Sequence, residues 1–474
     1  MFMIFNEMLT TNSKGKLTTR LPYVKVNNWM QSMKVAEIKK KYKDAQNLFE
    51  KLGITFSVYN DLEEERMLPF DIIPRIITSK EWSTIENGIK QRSLAINAFL
   101  NDIYNKGEIL SAGVIPKEII YTNPAFEKEM VGMKVPGKIY SHIIGTDIVR
   151  IDKDNFFALE DNCRTPSGVS YMLENREVMM KLFPDLFKSY QVSPVENYPK
   201  KLKETLVSLA PLKCENEPVI VLLTPGVKNS AYYEHSFLSD LMGIELVEGN
   251  DLFVNGDFVY MRTTEGPKKV DVIYRRIDDE YLDPLCFNPN SKIGIPGIMN
   301  VYRSGGVTIC SAPGSGIADD KEVYIYVPKM IEFYLGEKPI LNNIETWSCG
   351  DTKKIKFILE NLHDLVIKEV HGSGGYGMLI GPKSTKKEII NFKKKIMNNP
   401  RNYIAQPTLK LSSAPTVIKG KISERHVDLR PFCLSGKDTY ITQGGLTRVA
   451  MKENSLVVNS SQGGGVKDTW VLTG

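Results

Sequence analysis

Short apolar runs separated by turn residues dominate the middle of the chain. PVIVLLTP (218–225) is a continuous apolar run closed by proline, EHSFLSDLMG (234–243) has apolar positions at helical spacing and ends in glycine, and IELVEG (244–249) and KVDVIYRRID (269–278) return to strand patterning. This alternation over residues 218 to 275 predicts a small parallel sheet with helices on its faces. Residues 70 to 115 read as helical: Thr78 and Glu81 have capping-box spacing, and Trp82, Ile85, Ile89, Leu94, Phe99 and Leu100 recur at roughly helical intervals. Short strands are expected from 140 to 175, followed by a helix in MLENREVMMKLFPDLF (172–187). The last third mixes helices, KEVYIYVPKMIEFYLG (321–336) and STKKEIINFKKKIM (384–397), with paired strands. The class is α/β with α+β elements, and the Pro-rich stretch NPNSKIGIPG (288–297) is the expected junction between the sheet domain and a C-terminal module.

Two hairpins carry the candidate chemistry. In VIKEVHGSGGYGMLIGP (366–382), Gly372, Gly374 and Gly377 have the G-x-G-x-x-G spacing of a dinucleotide fingerprint, which requires the glycines to lead from a strand into a helix. Here Met378, Leu379 and Ile380 run into Gly381-Pro382 and read as a second strand. Strand, glycine loop and strand form a hairpin whose bare amides, from Gly372 through Ser373, Gly374 and Gly375 to Gly377, can fold over a phosphate chain, with Lys368 to neutralise it. A Gly-rich turn without a ligand fits the same pattern.

DIVRIDKDNFFALEDN (147–162) folds as the second hairpin, with Lys153, Asp154 and Asn155 in its turn. Strict alternation sets Val149, Ile151, Phe157 and Leu159 on one face and Arg150, Asp152, Ala158, Glu160 and Asn162 on the other. The second face gathers the oxygen donors that magnesium takes beside substrate phosphates, and Arg150 suits a phosphate or a carboxylate. A solvated hairpin with an incidental Arg150 ion pair is the alternative.

Composition narrows the classes. With 42% hydrophobic and 25% charged residues the chain can bury a large core, and a formal charge of +5 with scattered basic residues argues against a nucleic-acid partner. The five histidines show no metal-ligand spacing, the longest apolar runs are too short to cross a bilayer, and six widely spaced cysteines point to a reducing cytoplasm.

Taken together, the two hairpins resemble those of the ATP-grasp superfamily, and specifically the circularly permuted group similar to glutathionylspermine synthases. The resemblance spans roughly residues 65 to 474 and is carried most specifically by LEDNCRTPSGVSYMLENR (159–176), TPGVKNSAYYEHSFLSDLMGIELVEGNDL (224–252), VIYRRIDDEYLDPL (272–285), APGSGIADDKEVYIYVP (312–328) and the glycine hairpin. The magnesium motif precedes the lysines here, so the order is permuted. The resemblance implies a circularly permuted ATP-grasp fold with an N-terminal mainly helical region (1–125), a magnesium hairpin part (126–205), a parallel-sheet pre-ATP-grasp domain (206–300) and a nucleotide-binding module (301–474).

It further implies that Lys321 and Lys368 contact the nucleotide phosphates under a lid at Gly372 to Gly377, and that the hinge Tyr403 to Pro407, near Gln406, meets adenine. Asp152, Glu160 and Asn162 become magnesium ligands, Arg150 steadies the transferred phosphoryl, and Arg430 and Arg448 contact phosphate. Relatives usually have proline after the second lysine, where this chain has Glu369, which strand alternation turns away from the Lys368 side.

The implied activity is that of an ATP-dependent carboxylate-amine ligase, using ATP and Mg2+ on small-molecule or peptide acids and amines through an acyl phosphate. A phosphotransferase and a non-catalytic nucleotide-binding module remain open. For the substrates, Ser167 and Ser170 are candidates, as are Glu234, His235, Arg275, Arg276 and Asp278 at the carboxyl ends of predicted parallel strands; an interdomain salt-bridge network would explain the latter group equally. Lys467, in SSQGGGVKDTW, is a candidate phosphate neighbour or part of a surface turn.

Overall fold

FDIIPRII, expected at the start of a helical segment, is a strand. Phe70–Ile77 is buried at every position and pairs in parallel with Gly465–Val471. A continuous buried run has no periodicity to separate helix from strand; the β-branched isoleucines decide it. Pro74 is accommodated because its strand ends the sheet order and the register shifts between Lys467 and Thr469, the settings in which a strand tolerates proline. The helix itself, Ser79–Ile103, starts at Thr78 with the expected reciprocal cap: Thr78 Oγ1 accepts from the Glu81 N–H at 3.3 Å and Glu81 Oε2 accepts from the Thr78 N–H at 2.9 Å. Trp82, Ile85, Ile89, Phe99 and Leu100 are buried, while Leu94 is exposed. Gly88 lets this helix approach Leu341 closely, since a β-carbon there would lie 2.3 Å from Leu341 Cγ.

This computed structural model describes residues 4–53, 55–57, 65–372, 377–453, 455–459 and 462–473. Three sheets position the site. A ten-stranded, mostly antiparallel sheet runs Asn342–Asn343, Phe156–Asn162, Ile143–Arg150, Lys421–Arg430, Leu446–Val449, Gly465–Val471 and Phe70–Ile77, with Ser413–Ile418, Phe432–Ser435 and Thr439–Ile441 paired off this path. The small parallel sheet expected from the sequence is present, in the order Thr308–Cys310, Val272–Arg275, Ile220–Leu223, Glu245–Val247. The helix Tyr232–Met242 makes one crossover and ends at Gly243 in the left-handed conformation. Thr308–Cys310 follows the Pro-rich stretch 288–297, so that stretch connects two strands of one sheet.

The third sheet is antiparallel, Trp347–Ser348, Tyr403–Pro407, Leu365–Glu369, Leu379–Ile380. It has a core of its own, in which Ile358, Ile367, Leu379, Ile396 and Ala405 pack under the helix Lys386–Asn398. Among the described residues no helix is long and apolar enough to cross a membrane.

Candidate active site

Two of these sheets face each other across a cleft. Alternation along Leu365–Glu369 and Tyr403–Pro407 sends Ile367 and Ala405 into the small core and turns Val366, Lys368 and Gln406 to the cleft. The opposite wall, from the ten-stranded sheet, carries Asp147, Glu160, Asp428 and Arg448. Leu159, Val366, Ile380, Leu409 and Leu411 make one end apolar, and Lys321, Lys368, Glu160 and Arg448 make the other charged. Such a slot suits an aromatic base followed by a phosphate chain.

Lys321 opens a short helix, Lys321–Tyr324, whose first turn is capped by Asp320 Oδ1, an acceptor from Glu322 at 2.7 Å and Val323 at 3.0 Å. Its ammonium donates to the Gly372 carbonyl and lies 3.8 Å from Glu160. Burial pushes the Lys368 ammonium below its ordinary pKa; Glu160 and Asp147 oppose this, and Lys321 adds to it. An anionic ligand between the two lysines would relieve that strain on the charge. Gln406 donates from Nε2 to Thr346 Oγ1 at 2.9 Å, which fixes the strand at the apolar end.

The acidic hairpin departs from the sequence expectation at one residue. Asp147 pairs with Glu160 but Ile148 pairs with Ala158, so Leu159 is the extra residue of a β-bulge. The faces swap beyond it: Leu159 and Glu160 both border the cleft, and Glu160 stands across from Asp147 instead of beside Arg150 and Asp152. Unbroken alternation turns Asp147 away from Glu160, and only the bulge brings the two together.

Asp152 and Arg150 are therefore corrected. Asp152 stays in the turn, where its Oδ1 accepts from the N–H groups of Asp154 and Asn155 at 3.0 Å. Arg150 is fully buried on the far side, donating to Glu7 at 2.9 Å and Glu81 at 2.6 Å, with its guanidinium 4.6 Å from the Phe5 ring centre and 4.7 Å from that of Phe156. Against the effect of burial, Arg75 and Arg150 hold the Glu7 carboxyl down at about 2. A depressed acid adds stability above its unfolded pKa that disappears as the pH falls through its folded one. We expect Arg150→Met to cost about 1.5 to 3 kcal/mol in urea unfolding, because it removes one of the two buried arginines bonded to Glu7, and to start acid unfolding at higher pH. kcat per folded molecule should be unchanged; a kcat loss without a stability loss would return Arg150 to the chemistry.

Asp147 is the hub of the charged wall. It is buried and accepts from Arg430 Nη2 at 2.9 Å and Arg448 Nη2 at 2.6 Å, while Asp428, opposite Arg448 in register, accepts from Arg448 Nε at 3.0 Å. Burial opposes its charge, but the two guanidiniums outweigh burial and hold its carboxyl well below the usual range.

A second cleft of about 650 Å³ adjoins the first and shares Glu160, Lys321, Gly372, Arg448 and Asn459 with it. Asn162, Ser167, Arg164, Arg430, Glu127 and Asp278 border it. Five of the expected substrate residues, Ser170, Glu234, His235, Arg275 and Arg276, lie outside it and bond within the protein. Glu234 Oε2 accepts from Gly168 N at 2.7 Å and from Ser170 N and Oγ at 3.1 Å, and its Oε1 accepts from Arg276 at 3.2 Å. His235 meets Thr224 Oγ1 at 2.9 Å, and buried Arg275 donates to the carbonyls of Ser311 and Ile277 at 2.6 Å. Lys467 is buried against Asp71 and the Pro415 carbonyl, away from both clefts.

In the glycine loop, Gly372 borders both clefts, and Ser373, Gly374 and Gly375 lie outside the described residues. Glu369 was expected to turn away; instead it borders the cleft, because it is the last residue of its strand and alternation ends there. It packs on Gly377, in the left-handed region at φ 68°, where a β-carbon would sit 2.9 Å from the carboxylate.

No three His, Cys, Asp or Glu side chains gather as a metal cage among the described residues. Magnesium asks less, one or two carboxylates completed by water and phosphate oxygens. Asp147 is taken up by Arg430 and Arg448, which leaves Glu160 as the carboxylate on this wall, and Asn162 gives its N–H to the Gly145 carbonyl at 2.9 Å, leaving its amide oxygen as an acceptor. These donors fit the ion.

The family model for circularly permuted ATP-grasp type 2 matches residues 74–450. The chain belongs to that family. An uncharacterized protein of Synechocystis is 50% identical over 449 residues, covering 94% of this chain and 93% of its own. A Frankia alni protein provisionally named glutamate–cysteine ligase 2-3 is 38% identical over 421 residues, 88% of this chain but 48% of that protein. The structure of a glutathione synthetase-like effector from Globodera pallida superposes with a TM-score of 0.62 over 93% of this chain and 98% of its own, at 13% identity, so the likeness is one of fold. In this permuted ATP-grasp chain the acidic hairpin precedes both lysines in sequence, and the three meet only across the cleft.

Proposed function

We propose that the protein is an ATP-dependent carboxylate-amine ligase that works through an acyl phosphate on amino-acid or peptide-like substrates. The observation that carries this reading is the junction of the two clefts: Lys321 and Arg448, which suit a phosphate chain, and Glu160, which suits its magnesium ion, border both. A nucleotide with its base in the apolar slot would bring its terminal phosphate to that junction, where an acid in the second cleft can meet it. The name of the Frankia relative supports a ligase of amino acids.

In this reading Lys321 and Lys368 neutralise the phosphates, and Gln406 and its strand bound the base. Arg448 and Arg430, aligned by Asp147, hold the acid's carboxylate as its oxygen attacks the γ-phosphorus and ADP leaves. Glu160 and Asn162 would hold magnesium beside water and phosphate oxygens, and the ion when bound supplies further neutralisation of phosphate charge. An amine then displaces phosphate from the acyl carbon. Phosphoryl transfer asks mainly for positioning and charge neutralisation, which this residue set provides without a side-chain nucleophile. Six free thiols and no membrane-crossing helix among the described residues agree with a cytoplasmic setting.

The test is magnesium-dependent ADP release against a panel of amino acids, short peptides and polyamines. ADP that needs both an acid and an amine, and falls by about 10²- to 10³-fold in Glu160→Ala, supports the ligase. ADP with one substrate and a phosphorylated product would instead make it a phosphotransferase, and no release over the mutant would leave a binding module.

A further inference from the structure

We infer that Glu127 takes the proton from the attacking amine, a step that rests on the ligase reading. The loop 123–127 forms one wall of the second cleft, with Pro124, Ala125 and Glu127 along it. It is pinned at both ends: the Asn123 amide donates to Asp320 Oδ2 at 2.7 Å, and the Glu127 N–H donates to Tyr104 Oη at 3.2 Å. Asp320 precedes Lys321 in the chain, so the wall that carries Glu127 is anchored to the element that presents a phosphate lysine.

The other carboxylates on this cleft are committed elsewhere. Asp161 is held by Arg92 and by Thr146 Oγ1 at 2.9 Å, and Asp279 by Arg275 and the Gly314 N–H at 2.9 Å. Asp319 accepts from the backbone of Cys163 and from Arg164 N at 3.2 Å, Asp278 lies 3.2 Å from the Arg164 guanidinium, and Asp320 caps its helix and meets His371 at 3.0 Å. Glu160 belongs to the magnesium set, and Glu280 is exposed at the rim.

Glu127 is partly buried, and among the described residues its carboxylate enters no ion pair. Burial, then the charges of Asp279, Glu129 and Glu280, with Arg275 opposing them, push its carboxyl up to about 7. A base is most useful when its pKa lies near the working pH.

An amine arrives as an ammonium ion and gives one proton to Glu127. Its freed lone pair forms the C–N bond, and the C–O bond to phosphate breaks with its electron pair on the leaving oxygen. The second N–H proton leaves on phosphate, giving hydrogen phosphate, and Glu127 returns its proton to water.

Hydroxylamine is a nucleophile that is already unprotonated at neutral pH, so it separates proton removal from every other role of Glu127. With the acid and amine found by ADP release, Glu127→Gln is expected to lower amide formation at pH 7 by about 10²- to 10³-fold. Hydroxamate formation from the same acid, ATP and hydroxylamine should stay within about threefold of wild type. The acid limb of the wild-type kcat/KM profile, near pH 7, should vanish in the variant. Equal losses with amine and hydroxylamine, no loss with either, or a retained acid limb would each overturn the assignment. If the wild-type enzyme forms neither amide nor hydroxamate from any acid in the panel, it is the ligase reading that fails.

Discussion

Asp147→Ala is expected to unfold the protein more readily than any exposed change, by about 3 to 5 kcal/mol in urea denaturation, because it leaves the guanidiniums of Arg430 and Arg448 without their shared buried carboxylate. Asp147→Asn keeps the shape but not the charge and should fall between the two. The sign of the pH effect follows from the depressed carboxyl: the charged form adds stability above the unfolded aspartate pKa, and that contribution drains away as the pH falls below it. The alanine variant should therefore lose less stability than wild type on acidification. Equal stability in wild type and Asp147→Ala at neutral pH would remove Asp147 from its place as hub.

Lys368→Met is expected to lower kcat for magnesium-dependent ADP release by about 10²- to 10³-fold with little change in melting temperature. Methionine retains the apolar stem that packs in the strand and removes only the ammonium. Because that ammonium lies in the cleft with its pKa already lowered by burial, removing it should not destabilise the empty protein. Turnover within about threefold of wild type would take Lys368 off the phosphate path.

Much of the frame was legible because it is written in local chemistry. The Thr78–Glu81 cap, the Gly243 helix end and the unbroken apolar strands of the parallel sheet each follow from a few adjacent residues. The strand at Phe70–Ile77 was not, since buried isoleucines look alike in either conformation until a partner strand is known. In the site, Lys321, Lys368, Glu160 and Gln406 could be named from motif and resemblance, and the structure brings these four to one cleft.

What the sequence concealed was phase and closure. One extra residue, Leu159, moves Glu160 from the side of Arg150 to the side of Asp147, and no composition rule reveals a bulge. Arg150 is claimed by Glu7, a residue 143 positions away, and Arg276 by Glu234, 42 away. Polar residues at the ends of parallel strands invite a ligand reading, yet here they satisfy one another. Glu127 carries no motif at all; its candidacy arises from being a partly buried carboxylate without an ion pair among the described residues, on a cleft whose other buried carboxylates are paired.

The ten-stranded sheet also sets an order of events during synthesis. Asp147 is separated from Arg430 by 283 residues and from Arg448 by 301, and Phe70–Ile77 waits for Gly465–Val471. The acidic hairpin leaves the ribosome long before the strands that complete its sheet and neutralise its buried charge. Contacts of such long range are slow to form. The charged wall thus closes only after these later strands have been made, and until they arrive the early half carries an open sheet edge that has to be kept from pairing with a neighbour.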